Sequence, residues 1–163
     1  MSRRIISLLS VAFTLASSQA FGAAIVALGA SNTYGKGVSR NQAYPAQLET
    51  LLRGRGHQVH VLNAGINGDT TEHMLSRLDS SLSKDTRVVI LQPGGNDRRK
   101  GKTDTQSNIE SIQARLSARG IKFVLLPNNM LHGLPHQPDG QHLTPEGYHM
   151  LAETLAGQVE GGL

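Results

Sequence analysis

Ser31 stands in the stretch IVALGASNTYGKG (25–37), where an apolar run breaks into small and polar residues. Two chemistries suit such a loop. Gly29, Ser31, Asn32, Thr33 and Gly35 could offer backbone N–H groups and hydroxyls to a phosphate at a helix N-terminus. Alternatively, Ser31 could sit at the carboxyl end of a strand as a nucleophile aimed into a cleft. A hydroxyl attacks a carbonyl only when a base takes its proton, and a candidate base lies far downstream: His142, three residues after Asp139. That spacing lets both side chains project from one turn, so the carboxylate can hold the imidazole and stabilise its positive charge. Two further polar blocks lie between, NAGINGDT (63–70) and GGND (94–97). Taken singly, these residues are ordinary turn formers.

Positioning them requires a scaffold, and the apolar pattern supplies one. Four β-branched, apolar runs recur: AIVALG (24–29), QVHVLNAG (58–65), RVVILQPGG (87–95) and KFVLLPNN (122–129). Helical patterns separate them. Tyr44 to Leu52 carries apolar residues at helical spacing and RGRG closes it; TTEHMLSRLDSSLS (70–83) opens with Asp69 or Thr70 as cap and Glu72 in the first turn. SNIESIQARLSARG (107–120) ends at Gly120, and TPEGYHMLAETLAGQV (144–159) has Thr144 as cap with Pro145 at the first helical position. Near-continuous apolar strands alternating with helices predict a parallel sheet covered on both faces, an α/β fold in three layers, α/β/α. In such sheets ligands bind off the carboxyl ends of the strands. The loops GASN, NAGINGDTT and PGGND all fall at such ends and should converge on one cleft.

The blocks GASNTYG, NAGINGDT, GGND and DGQHLTPEGY resemble, in order, spacing and strand context, those of the SGNH hydrolases, also called GDSL esterases and lipases. The thioesterase I/lysophospholipase/arylesterase branch is nearest in character, and the likeness runs from Ala24 to near the C-terminus. The resemblance implies one SGNH hydrolase domain over 24–163, with a flavodoxin-like parallel sheet of four to five strands, reduced in size. It implies Ser31 as nucleophile, His142 as base and Asp139 as the group orienting that base. The implied oxyanion hole comprises the backbone N–H groups of Ser31 and Gly68 and the side-chain amide of Asn96. Gly68 suits that role, since a backbone without Cβ can approach a tetrahedral intermediate closely. Asn96 follows Gly94-Gly95, a lead-in that can aim its amide. The implied reaction is hydrolysis of carboxylic esters or thioesters through an acyl-enzyme, with no metal or organic cofactor.

A flavodoxin-like cofactor module would also place a polar loop after its first strand. It would stack its flavin on aromatic rings, whereas this chain has no Trp and is 4% aromatic. It would need neither the Asp139–His142 pair nor Asn96, so Ser31 reads as a nucleophile. The same machinery serves a carbohydrate O-acetylesterase. From a different class comes a non-catalytic exported binding domain with a decayed site. Two departures from the family pattern hint at that reading: Ala30 replaces the Asp that usually precedes the serine, and the Asn96–Asp139 interval is short. Larger relatives use that interval for elements that wall in an acyl chain, so the reading here is a shallow cleft favouring short acyl chains.

The remaining signals bear on location and partners. MSRR is basic, IISLLSVAFTLA apolar and SSQAFGA rich in small residues, the order of a secretory signal over 1–23 cut between Ala20 and Ala23. Its apolar run, about a dozen residues, is shorter than the roughly 20 a spanning helix needs. The expectation is a periplasmic or secreted protein without a stable membrane anchor. The formal net charge is +4, and removal of Arg3 and Arg4 lowers it by two, too mild to argue nucleic-acid binding. There is no cysteine, hence no disulfide framework or thiolate metal site. His132, His136 and His142 lie close together but fit no metal-ligand spacing, and His57 and His60 read as edge residues of the second strand. RRKGK (98–102) is either a solvated loop or an attractor for an anionic substrate through Arg98, Arg99, Lys100 and Lys102. The glycines of GKG (35–37) do not form a dinucleotide fingerprint.

Overall fold

The computed structural model describes residues 22–163, so all but the last two residues of the expected export signal lie outside the described residues. Strands β1 (Ala23–Gly29), β2 (Val59–Gly65), β3 (Thr86–Gln92) and β4 (Lys122–Leu125) form one parallel sheet in the order β2-β1-β3-β4. The helices are α1 (Ser31–Tyr34), α2 (Tyr44–Gly54), α3 (Thr71–Ser76), α4 (Leu78–Ser81), α5 (Asn96–Arg99), α6 (Thr105–Ser117) and α7 (Pro145–Val159).

Alternation along β1 sorts these helices into layers. Ile25 and Ala27 pack in one core with Tyr44, Leu48 and Leu52 of α2 and Tyr148, Leu151 and Leu155 of α7. Val26 and Leu28 pack in a second core with Met74 of α3, Leu78 of α4 and Ile109, Ile112 and Leu116 of α6. The chain is thus the three-layer α/β/α sandwich that the apolar runs predict. Burying one aliphatic side chain fully is worth about 1.5–3 kcal/mol against a net domain stability of about 5–15 kcal/mol. The two faces of β1 therefore make it a rigid base for whatever follows it.

Local signals account for most boundaries. Thr144 Oγ1 accepts from Gly147 N–H at 3.1 Å with Pro145 at the first helical position. Thr70, rather than Asp69, caps α3 by accepting from His73 N–H; the Asp69 carboxylate is engaged elsewhere. Helix α6 runs Thr105–Ser117 rather than 107–120, and three larger differences from the sequence expectation have a visible cause. The segment 70–83 breaks at Arg77 into α3 and α4, because the Arg77 side chain turns inward to reach Asp69 and two strand-end carbonyls. The third strand stops at Gln92 rather than Gly95: Pro93 has no N–H for the ladder, and Gly94 adopts φ +71, a conformation open to glycine. The fourth strand stops at Leu125, ahead of Pro127.

From β1 the chain moves to β2 on one side, then returns past β1 to β3 on the other. This reversal opens a crevice at the carboxyl ends of β1 and β3. Ser31 follows β1 and Asn96 follows β3. Among the described residues no helix is long and apolar enough to cross a membrane.

Candidate active site

Ser31 opens the single turn of α1, two residues beyond the end of β1. That turn is fastened from the neighbouring strand. Gln92, the buried last residue of β3, accepts through Oε1 from Ala30 N–H at 3.2 Å and from Thr33 Oγ1 at 3.3 Å. From the other side β2 presses close: a Cβ at Gly65 would lie 2.2 Å from the Tyr34 nitrogen, so only glycine lets α1 sit there. Ala30 is buried in the second core, where its methyl group packs with Val26 and Leu28.

His142 arrives on the loop before α7. Its Nε2 lies 2.9 Å from Ser31 Oγ and its Nδ1 lies 2.5 Å from Asp139 Oδ2. With Nδ1–H donating to the carboxylate, Nε2 is left as an acceptor for the serine hydroxyl. Asp139 Oδ1 meanwhile accepts from the backbone N–H groups of Gln141 at 2.9 Å and His142 at 3.0 Å, closing the turn that the three-residue spacing predicts. The His142 ring, and then those two backbone N–H groups, hold the Asp139 carboxyl well below the usual carboxylate range. Asn32 ties this loop to α1, donating to Gln141 C=O at 3.0 Å and accepting from Tyr148 O–H at 3.0 Å. Burial raises the Tyr148 phenol above its ordinary value, which keeps it a donor.

Asn96 begins α5 and is buried; its Nδ2 donates to Asp69 C=O at 2.7 Å and its Oδ1 accepts from Arg99 Nη2 at 2.5 Å. Asp69 is itself anchored. Its buried carboxylate pairs with Arg77 at 2.7 Å and with His73, while Arg77 also donates to Ala64 C=O at 2.8 Å and Gly29 C=O at 3.3 Å. Beside Asn96, the buried Asp97 accepts from Thr71 N–H and Oγ1, locking the GGND and GDTT blocks together.

Ser31, Asn96 and His142 share the wall of one cavity of about 240 Å³. Its apolar wall residues are Ala30 and Leu131, and no Asp or Glu among the described residues lines it. Gly68 is exposed at φ +78 on the adjacent turn and stands outside this wall; its carbonyl accepts from Lys100 Nζ at 3.0 Å. The basic run divides. Lys102 pairs with Glu72 at 2.7 Å and Lys100 is held by Gly68, whereas Arg98 and Arg99 line the cavity. Among the described residues, no ion pair engages Arg98.

Several wall residues escape sequence reasoning. His132 and His136, set aside in the sequence because they fit no metal-ligand spacing, both line the cavity, with His136 Nδ1 on Leu134 C=O at 2.6 Å; their nearness in sequence to DGQH is the one signal that could have found them. Gln92 and Arg77 carry no local signal. Among the described residues, no group of three His, Asp or Glu gathers as a metal site.

Compared with known proteins, residues 27–158 match the GDSL-like lipase/acylhydrolase family. The chain is similar to the esterase TesA of Pseudomonas aeruginosa, 31% identical over 119 residues that cover 71% of this chain and 59% of that protein. It is also similar to an arylesterase of Vibrio mimicus, 32% identical over 127 residues covering 76% of this chain and 62% of that one. The chain thus spans about three fifths of the length of these curated relatives. Among solved structures it resembles the SGNH-hydrolase family esterase AlinE4, with a TM-score of 0.59 and 27% identity over 84% of this chain and 71% of that one.

Proposed function

The chain belongs to the GDSL-like lipase/acylhydrolase family, and from that premise we propose that it is a serine hydrolase of short-acyl carboxylic esters or thioesters. One observation carries the reading: the unbroken line from Asp139 through His142 to Ser31 Oγ, with bonds of 2.5 and 2.9 Å. His142 takes the hydroxyl proton as Ser31 Oγ attacks the substrate carbonyl. Negative charge gathers on the carbonyl oxygen, to which Ser31 N–H and the Asn96 amide donate; Gly68, which stands outside the cavity wall, would add its N–H only if its turn moved inward. Collapse of the intermediate expels the alcohol or thiol, which receives the proton from His142. Water, deprotonated by the same imidazole, then releases the acyl group from Ser31.

The cavity wall bears on the substrate. Two apolar side chains offer little surface to a long acyl tail, while Arg98, without a carboxylate partner among the described residues, suits an anionic group on the substrate. The same polar wall favours a second reading within this chemistry, deacetylation of a carbohydrate. The unbroken hydrogen-bonded line weighs against a decayed binding domain. Export to the periplasm or medium, read from MSRR and the apolar run that follows, is part of the proposal. Cleavage ahead of Ala23 would leave β1 whole.

A fluorophosphonate probe tests the mechanism directly. It should label the wild-type chain and spare Ser31→Ala, and Ser31→Ala and His142→Ala should each lower kcat by several orders of magnitude with unchanged melting. A folded wild-type protein that takes no label overturns the reading. A panel of p-nitrophenyl esters, acyl-CoA, lysophospholipid and acetylated sugars then separates the two substrate classes.

A further inference from the structure

Asn96 has two ends, and only its nitrogen can serve an oxyanion. One N–H is committed to the Asp69 carbonyl at 2.7 Å, leaving the other for the cavity, while Oδ1 accepts from Arg99 Nη2 at 2.5 Å. Flipping the amide would set Oδ1 against that carbonyl oxygen and the NH₂ against a guanidinium, replacing two hydrogen bonds by two repulsions. Arg99 reaches this place by lying across Gly95, where an added Cβ would come within 3.3 Å of Nη1. The same Nη1 donates to Gln141 Oε1 at 3.3 Å, one residue before His142. Among the described residues no carboxylate neutralises this guanidinium; both side-chain acceptors are amide oxygens.

We infer that Arg99 is a positioning residue for acyl transfer, locking the Asn96 amide with Nδ2 toward the cavity and strengthening its remaining N–H as a donor. The inference rests on the ester-hydrolase reading above. A charge-assisted bond to the amide oxygen draws electron density away from the nitrogen, so the N–H binds a developing oxyanion better than a neutral carbonyl. An interaction that grows with the transition-state charge raises kcat and leaves KM largely alone.

The experiment uses p-nitrophenyl acetate, an uncharged ester, so that long-range attraction by positive charge plays no part. Arg99→Met should lower kcat on the order of 10- to 100-fold with KM within about twofold. Arg99→Lys should recover part of the loss, because an ammonium can still donate to Oδ1. Asn96→Ala should itself lose on the order of 100- to 1000-fold, and adding Arg99→Met to it should cost nothing more. Should Asn96→Ala melt below the assay temperature, Asn96→Ser supplies the same background. An Arg99→Met kcat equal to wild type overturns the inference. So does an equal loss in both backgrounds, which would place the effect in the fold rather than in Asn96. If the wild type neither takes the fluorophosphonate label nor turns over, the hydrolase reading falls and this one with it. If it does both while Arg99→Met matches it, the Arg99 role alone falls.

Discussion

The two oxygens of Asp139 do different work. Oδ1 closes the turn on the backbone N–H groups of Gln141 and His142, and Oδ2 holds the imidazole. Together these bonds keep the carboxyl ionised well below the usual carboxylate range. Because its folded value lies beneath the unfolded one of about 3.9, their contribution to stability is complete above that pH and is lost as pH falls below it. Across the neutral range Asp139 therefore stays charged and holds the imidazole throughout. Asp139→Asn isolates the second oxygen. Its Oδ1 can keep the turn, while its NH₂ faces Nδ1 and forces that nitrogen to accept. The proton then sits on Nε2, where it blocks uptake from Ser31. We expect kcat to fall on the order of 10³- to 10⁴-fold with little change in melting temperature, read by ester turnover and circular dichroism.

At the scale of elements, the site depends on clamps between strand ends. The single-turn α1 is too short to hold itself. Gln92 supplies what α1 lacks by accepting from Ala30 N–H and Thr33 Oγ1. Gln92→Leu keeps the volume and strands Ala30 N–H inside the protein, while Thr33 Oγ1 keeps Tyr44 Oη at 3.3 Å; the loss of about 1–3 kcal/mol should show as a lowered urea midpoint. Gln92→Glu, which retains an acceptor, should fare better if that bond is what matters. An unchanged midpoint in Gln92→Leu would mean α1 is held by other contacts. The contrast with the helix caps shows what a sequence discloses. Thr70, Thr144 and Pro145 act on neighbours within three residues, and a local pattern displays them. The Asp139–His142 turn is legible for the same reason. Gln92 and Ala30 are separated by 62 positions, and Arg77 and Gly29 by 48, so their contacts exist only once the parallel sheet has formed. The break at Arg77 follows from that tertiary demand, since the pattern across 70–83 is helical throughout. Ser31 and His142, 111 positions apart, became legible as a pair only through the family likeness of the four blocks.

For the molecule as a whole, what the sheet does not build is as telling as what it does. Between Asn96 and Asp139 the chain forms α5, α6, β4 and a loop, and that loop returns His132 and His136 to the cavity rather than an apolar wall. Among the described residues, the exposed large apolar side chains Leu62, Ile66, Leu125, Met150 and Leu163 are not part of the cavity wall. An acyl chain entering beside Ser31 therefore meets Ala30 and Leu131 and soon reaches polar groups or solvent. Each methylene that is buried is worth about 0.8 kcal/mol, close to a fourfold gain in kcat/KM when the contact persists into the transition state. A cavity of about 240 Å³ can supply that gain for the first few carbons and not for a tail. On p-nitrophenyl esters kcat/KM should accordingly peak between acetyl and hexanoyl and flatten or fall beyond, at substrate concentrations below micelle formation. A gain of about fourfold per methylene continuing past ten carbons would require an apolar track absent from this wall, and would overturn the short-acyl assignment while leaving the Ser31 chemistry intact.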